Sequence, residues 1–174
     1  MRRGSIVAAI STAVAFIGLG ACAQQPDAGF GEQIAGKLVR ADGSEAPADA
    51  LQGKTVLVYF SAHWCPPCRR FTPELVKVYD EWKRQDKPVE LVFVSSDRDE
   101  AAMRGYMTEM GMKWLAVPYA DRGRMDALSR RWNVRGIPTL VAVSPDGKTL
   151  TQDGVGEVYE KKAAALDAWL PAKP

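Results

Sequence analysis

The stretch that most constrains this chain runs from Tyr59 to Phe71, YFSAHWCPPCRRF. It joins an apolar run, Thr55–Ser61 (TVLVYFS), to a segment of helical character that begins near Pro66. The apolar run is nearly continuous, as expected of a strand buried on both faces of a sheet. Two cysteines, Cys65 and Cys68, stand at the junction. On a helix these positions are i and i+3 and share one side, so their sulfurs can close a small disulfide at a helix N-terminus. There the unpaired backbone N–H groups and the helix dipole favour a thiolate on Cys65. Cys68, a turn deeper, is the resolving thiol. The pattern reads as reversible dithiol/disulfide chemistry.

The remaining cysteine count agrees. The chain has three cysteines and a single histidine, His63. One pair and one spare thiol give no disulfide framework, and they cannot make a four-ligand zinc cage. A copper-binding module using Cys65, Cys68 and His63 is the alternative from another class. It has only three candidate ligands, in one short span.

Trp64-Cys65-Pro66-Pro67-Cys68 after an apolar strand resembles the active site of the thioredoxin superfamily. The wider string SAHWCPPCRRFTPEL is most similar to the tryparedoxin and nucleoredoxin branch. Val134-Arg135-Gly136-Ile137-Pro138-Thr139-Leu140, about seventy residues on, resembles the thioredoxin cis-proline loop. The resemblance implies a thioredoxin-like α/β fold, a mixed β-sheet with helices on both faces. It implies thiol–disulfide oxidoreductase activity, with Cys65 as nucleophile, Cys68 resolving, and no organic cofactor. Trp64 would shield Cys65 and offer a flat contact. Pro138 would be cis and turn the backbone of Ile137 toward a bound substrate strand. One departure stands out: many thioredoxins carry a buried aspartate six residues before the first cysteine, where this chain has Tyr59. The usual proton acceptor is absent, and Glu74 and Glu109 are candidates only by their place in the sequence.

Pro66 and Pro67 have no backbone N–H, so two donors that could stabilise a Cys65 thiolate are missing. Weaker thiolate stabilisation favours the disulfide, and the pair is expected to be reducing. His63 is read as an exposed, uninvolved histidine and Arg69 as a solvated helix residue.

The other elements follow from periodicity. Gln33–Arg40 reads as a first strand, Val89–Ser95 as a second buried strand, and Arg69–Arg84 as a helix with Phe71, Leu75, Val78 and Trp82 on one stripe. Pro73 inside that helix is expected to bend it. Ser96–Asp99 reads as an N-cap region for a helix from Glu100 to Met110, ended by Gly111. Lys113–Ala120 resembles a segment of the tryparedoxin branch. Asp121 caps a helix reaching Trp132; Pro145-Asp146-Gly147 turns a hairpin between Thr139–Ser144 and Lys148–Gln152. Glu157–Leu170 reads as a closing amphipathic helix.

The N-terminus carries a different signal. Met1-Arg2-Arg3 precedes an apolar run, Ile6–Leu19, and then Leu19-Gly20-Ala21-Cys22. The run has the length of a signal-peptide core and is short for a membrane span. Leu-Gly-Ala-Cys resembles a bacterial lipobox. The expected organisation is a leader over 1–21, a lipidated Cys22 with a flexible tether over 22–32, and one domain over 33–174. An uncleaved anchor and ordinary cleavage near Ala21 or Ala23 are the alternatives. Two of the 23 basic residues and none of the 21 acidic ones fall in 1–21, so the rest of the chain is neutral. No basic surplus points to nucleic acid or an anionic membrane surface.

The expected setting is therefore the periplasm of a Gram-negative bacterium, with a lipid at Cys22 holding a monomer to the membrane. Because Ala23 and not aspartate follows Cys22, the outer membrane is favoured. The expected role is like that of TlpA-like membrane-tethered thioredoxins: reducing protein disulfides with electrons from a membrane donor. A dithiol oxidase or isomerase of exported proteins is the alternative within the class.

Overall fold

The computed structural model describes Met1, Ile34 and residues 36–170. Cys22, the tether over 22–32 and all of the expected leader except Met1 lie outside the described residues.

Thr55–Ser61 forms β1, buried at every position, which requires cover on both faces. Val89–Ser95 forms β2, equally buried, and pairs with β1 in parallel from Thr55↔Val89 to Ser61↔Ser95. The crossover between them is α1, Pro66–Arg84, whose buried side includes Phe71, Leu75, Val78 and Trp82 as the stripe predicts. Helix α1 runs through Pro73 without interruption. Pro73 is exposed, so water can reach the backbone that loses its hydrogen bond there.

Helix α2 spans Glu100–Glu109; Asp99 caps it by accepting the Ala102 N–H, and Gly111 follows at φ +66°. The two-residue β3, Leu115–Ala116, pairs with β2 in parallel. Asp121 caps α3, Arg122–Arg131. Strand β4, Thr139–Val143, returns antiparallel to β1, and β5, Thr149–Thr151, completes a sheet of order β3-β2-β1-β4-β5. Among the described residues, the mixed sheet with these four α-helices is the expected thioredoxin-like fold.

Two expectations need correction. Over Gln33–Arg40 the described residues form no strand: Ile34 is helical, and Val39 alone makes bridges, to Glu45 and Ala116. The segment is held by other means, including an Arg124 guanidinium that donates to the Lys37 carbonyl. The closing helix is also divided. Helix α4 covers Gly154–Lys161, Lys162 takes φ 52°, and a 3-10 helix runs Lys162–Ala168. The break rotates the second piece so that Ala165, Leu166 and Trp169 are buried. Trp82 and Trp169 meet edge to face there, with ring centroids 6.1 Å apart.

The topology fixes where chemistry can occur. β1 ends at Ser61 with four residues between it and α1, and β4 begins at Thr139, opposite Phe60. The cysteine turn and the Ile137-Pro138 turn thus arrive at one end of the sheet.

Candidate active site

Cys65 is the N-cap of α1, in extended conformation, and its Sγ accepts the Cys68 backbone N–H at 3.3 Å. Pro66 and Pro67 fill the first two helical positions, so among the first three residues of α1 only Cys68 has an N–H to offer. Cys65 and Cys68 are joined in a disulfide, with their Cα atoms 5.2 Å apart. Cys65 keeps 3% of its surface exposed and Cys68 none, so an incoming sulfur can reach only Cys65.

The Ile137–Pro138 peptide is cis, and the Ile137 carbonyl oxygen lies 3.6 Å from the Cys65 Sγ. Ala62, Cys65 and Cys68 form a small apolar cluster of their own, covered in part by Ile137. Trp64 is 56% exposed on the rim, its indole N–H donating to the Ser96 carbonyl at 2.9 Å. Pro66 and Pro67 are exposed beside it.

Beneath the cysteines lies a buried hydroxyl cluster. Thr72, one turn after Cys68, donates to the Cys68 carbonyl at 2.9 Å. A threonine has one hydroxyl proton, so the other two contacts of its Oγ must be accepted. Tyr59 at 2.8 Å and Tyr106 at 2.6 Å therefore donate to Thr72. With its own proton committed, Tyr106 accepts from Ser61, 3.1 Å away. Burial is the main cause that pushes the Tyr59 phenol well above its usual range. The position where many thioredoxins hold a carboxylate is here a neutral, fully oriented network with no base in it.

Neither acidic candidate is free to fill that role. Glu74 sits 2.8 Å from Lys77 and 3.6 Å from Lys162, and the Lys77 hydrogen bond lowers its pKa. Glu109 is shared on the surface between His63, at 2.8 Å, and Arg69, at 3.2 Å. Arg69 is the exposed helix residue expected, and the His63 ring, partly exposed, also packs on Tyr106 at 5.4 Å. All three side chains are well exposed, so each pair contributes about 0–1 kcal/mol.

Sequence reasoning passed over Asp97. Ser96-Asp97-Arg98-Asp99 reads as capping residues, but only Asp99 caps α2. Asp97 is 4% exposed; one carboxylate oxygen accepts the His63 backbone N–H at 2.8 Å and the other the Ser95 hydroxyl at 2.8 Å. The signal available was a second acidic residue, at the end of a buried strand, left over once the cap was assigned. Thr72, Tyr106 and Ser61 carry no separate signal, since single hydroxyls on buried faces look like ordinary core polarity.

The arrangement can perform thiol–disulfide exchange: a strand-to-helix turn presents one sulfur, a buried second sulfur stands behind it, and a carbonyl borders the approach. Comparison with known proteins agrees. The Thioredoxin-like family model matches residues 53–149. The chain is 43% identical over 142 residues to nucleoredoxin from Bos taurus, a match covering 82% of this chain and 32% of that protein. It thus spans about a third of the length of that relative. Tryparedoxin I from Crithidia fasciculata superposes with a TM-score of 0.72 at 38% identity, covering 83% of this chain and 99% of that one. Tryparedoxin I from Leishmania major does so with a TM-score of 0.70 at 36% identity, covering 78% and 92%. The chain belongs to the thioredoxin superfamily, in its tryparedoxin and nucleoredoxin branch, and it carries the disulfide centre of a thiol–disulfide oxidoreductase.

Proposed function

We propose that this chain reduces protein disulfides in the bacterial cell envelope. The observation that carries the direction is the single helix donor at Cys65: the Cys68 N–H reaches its Sγ, and the two prolines offer none. A thiolate with few donors is a less stable product of reduction, so the disulfide is the favoured state and the dithiol a good reductant.

In the reaction the Cys65 thiolate attacks one sulfur of the substrate disulfide. That bond breaks, a mixed disulfide forms, and the first substrate sulfur leaves as a thiolate that water protonates. Cys68 then gives up its thiol proton to water as it attacks Cys65 Sγ, and the second substrate sulfur leaves as a thiolate that water protonates. Two electrons have passed to the substrate, and the Cys65–Cys68 disulfide remains. Re-reduction needs an electron donor, which we place in the membrane. Trp64, Ile137 and Pro138 would form the contact face for the substrate chain. The leader-like N-terminus and Cys22 support a periplasmic, lipid-anchored monomer, with the outer membrane favoured because Ala23 follows.

The test is turnover and trapping. Reduced wild-type protein should reduce a protein disulfide such as insulin, and Cys65→Ser should be inactive. Cys68→Ser should accumulate a covalent mixed disulfide at Cys65. Absence of both turnover and trapping would refute the assignment. For the anchor, Cys22→Ser should move the protein from the membrane to the soluble periplasmic fraction; unchanged membrane association would refute lipidation at Cys22.

A further inference from the structure

Asp97 is a buried carboxylate that the exchange chemistry does not use. It sits on the loop between β2 and α2, beside the turn that presents the nucleophile. Its Oδ1 holds the His63 N–H at 2.8 Å, its Oδ2 holds the Ser95 hydroxyl at 2.8 Å, and its own N–H donates to Ser95 Oγ at 3.0 Å. The Tyr119 hydroxyl donates to its carbonyl at 3.2 Å, and the preceding residue's carbonyl takes the Trp64 indole. Two consecutive loop residues thus fix the two residues that precede Cys65. From His63 to Cys65 is at most about 7 Å of extended chain; with the hydrogen bond at one end and the Cys65 side chain at the other, the carboxylate stands within about 14 Å of the sulfur, where two charges in a protein still interact by about one pH unit.

The other charged groups facing this end of the sheet are exposed. His63 on the same turn, Arg69 on α1 and Glu109 on α2 form one surface group in which opposite charges offset one another. Arg98 and Asp99 flank Asp97 and are exposed, and Arg122 lies outside, over the Tyr119 ring at 4.9 Å. Water and salt screen such groups, whereas a charge that is 4% exposed is screened far less.

We infer that Asp97 is a positioning residue that sets the ionisation of Cys65: a fixed negative charge behind the nucleophile disfavours its thiolate and holds the pair to the reducing side. Like charges in proximity disfavour ionisation of the second group. A less stable thiolate makes the disulfide harder to reduce and the dithiol a stronger reductant. The missing helix donors and the buried carboxylate act in the same direction. The inference rests on the proposed reductant role and supplies a cause for it.

Asp97→Asn separates charge from geometry. The asparagine oxygen can still accept the His63 N–H, and Ser95 Oγ can accept from the new amide in place of donating. The measurement is the rate of iodoacetamide alkylation of Cys65 against pH, with the reduction potential of the same variant against glutathione. The midpoint is expected to fall by about one pH unit, and the potential to become less negative. Ser95→Ala removes a donor from the carboxylate and is expected to move the midpoint in the opposite direction, by less. It also serves should Asp97→Asn fail to fold. A folded Asp97→Asn protein with an unmoved or raised midpoint would overturn the inference, as would an unmoved or lowered one for Ser95→Ala. An oxidising wild-type potential would instead overturn the reductant role, and that result is separate from the shift between variants.

Discussion

Thr72 shows how much one buried hydroxyl can be asked to hold. It donates to the Cys68 carbonyl and accepts from two tyrosines, so it ties α1, β1 and α2 together under the disulfide. Thr72→Val keeps the shape and leaves both phenols without their acceptor. It should lower unfolding free energy by about 1–3 kcal/mol, the cost of stranding buried polar groups, with Thr72→Ser closer to wild type. Urea unfolding monitored by tryptophan fluorescence checks this; equal stability of Thr72→Val and wild type would show that the tyrosines find other partners. The cluster is also why the substitution of Tyr59 for a carboxylate is tolerated in structural terms. A buried aspartate needs a partner or a proton, whereas Tyr59 needs one acceptor and has it.

Among the elements, the C-terminal pair is the most exacting. Gly154 opens α4 against β4, where an added Cβ would meet the Leu140 carbonyl oxygen at 2.7 Å and its Cγ at 2.9 Å. Gly154→Ala should therefore destabilise by about 1–3 kcal/mol through overpacking, read as a lower urea midpoint at constant slope. Lys162 presents the opposite case, a lysine at φ 52° between α4 and the 3-10 helix. Lys162→Gly should raise stability by about 0.5–1 kcal/mol, the relief of a strained backbone less the added unfolded-state entropy. A lower midpoint would mean that the Lys162 contacts with Glu74 and Tyr159 outweigh the strain. The sequence could not announce this break, because Glu157–Leu170 keeps an apolar periodicity that one helix would also satisfy. The Gln33–Arg40 reading failed for a related reason: a short segment with apolar Ile34, Leu38 and Val39 is a strand only if a neighbour pairs with it, and among its described residues Val39 alone makes bridges. β1, β2, α1 and the cysteine turn were legible because burial on both faces, a 3.6-residue stripe and proline punctuation are local properties. Asp97 and the Thr72 cluster were not, since each is defined by partners from distant parts of the chain.

For the whole molecule, the sheet brings two turns about seventy residues apart in sequence to one end of its central strands, and stability and chemistry share the buried tyrosines beneath them. Burial first, then contact with Glu90, pushes the Tyr79 phenol above its ordinary range; burial does the same to Tyr59. The unfolded chain ionises these groups near pH 10 while the fold resists, so the unfolded state binds fewer protons and stability falls as pH rises beyond about 10. Unfolding free energy measured across that range should decline, and more shallowly in Tyr59→Phe; a flat profile would contradict the burial argument. Whether this centre acts as a reductant is decided by a redox titration of the Cys65/Cys68 pair against glutathione and dithiothreitol. A reductant should show a midpoint near or below about −220 mV. A midpoint above about −160 mV would make the same site an oxidase or isomerase and overturn the reductant role.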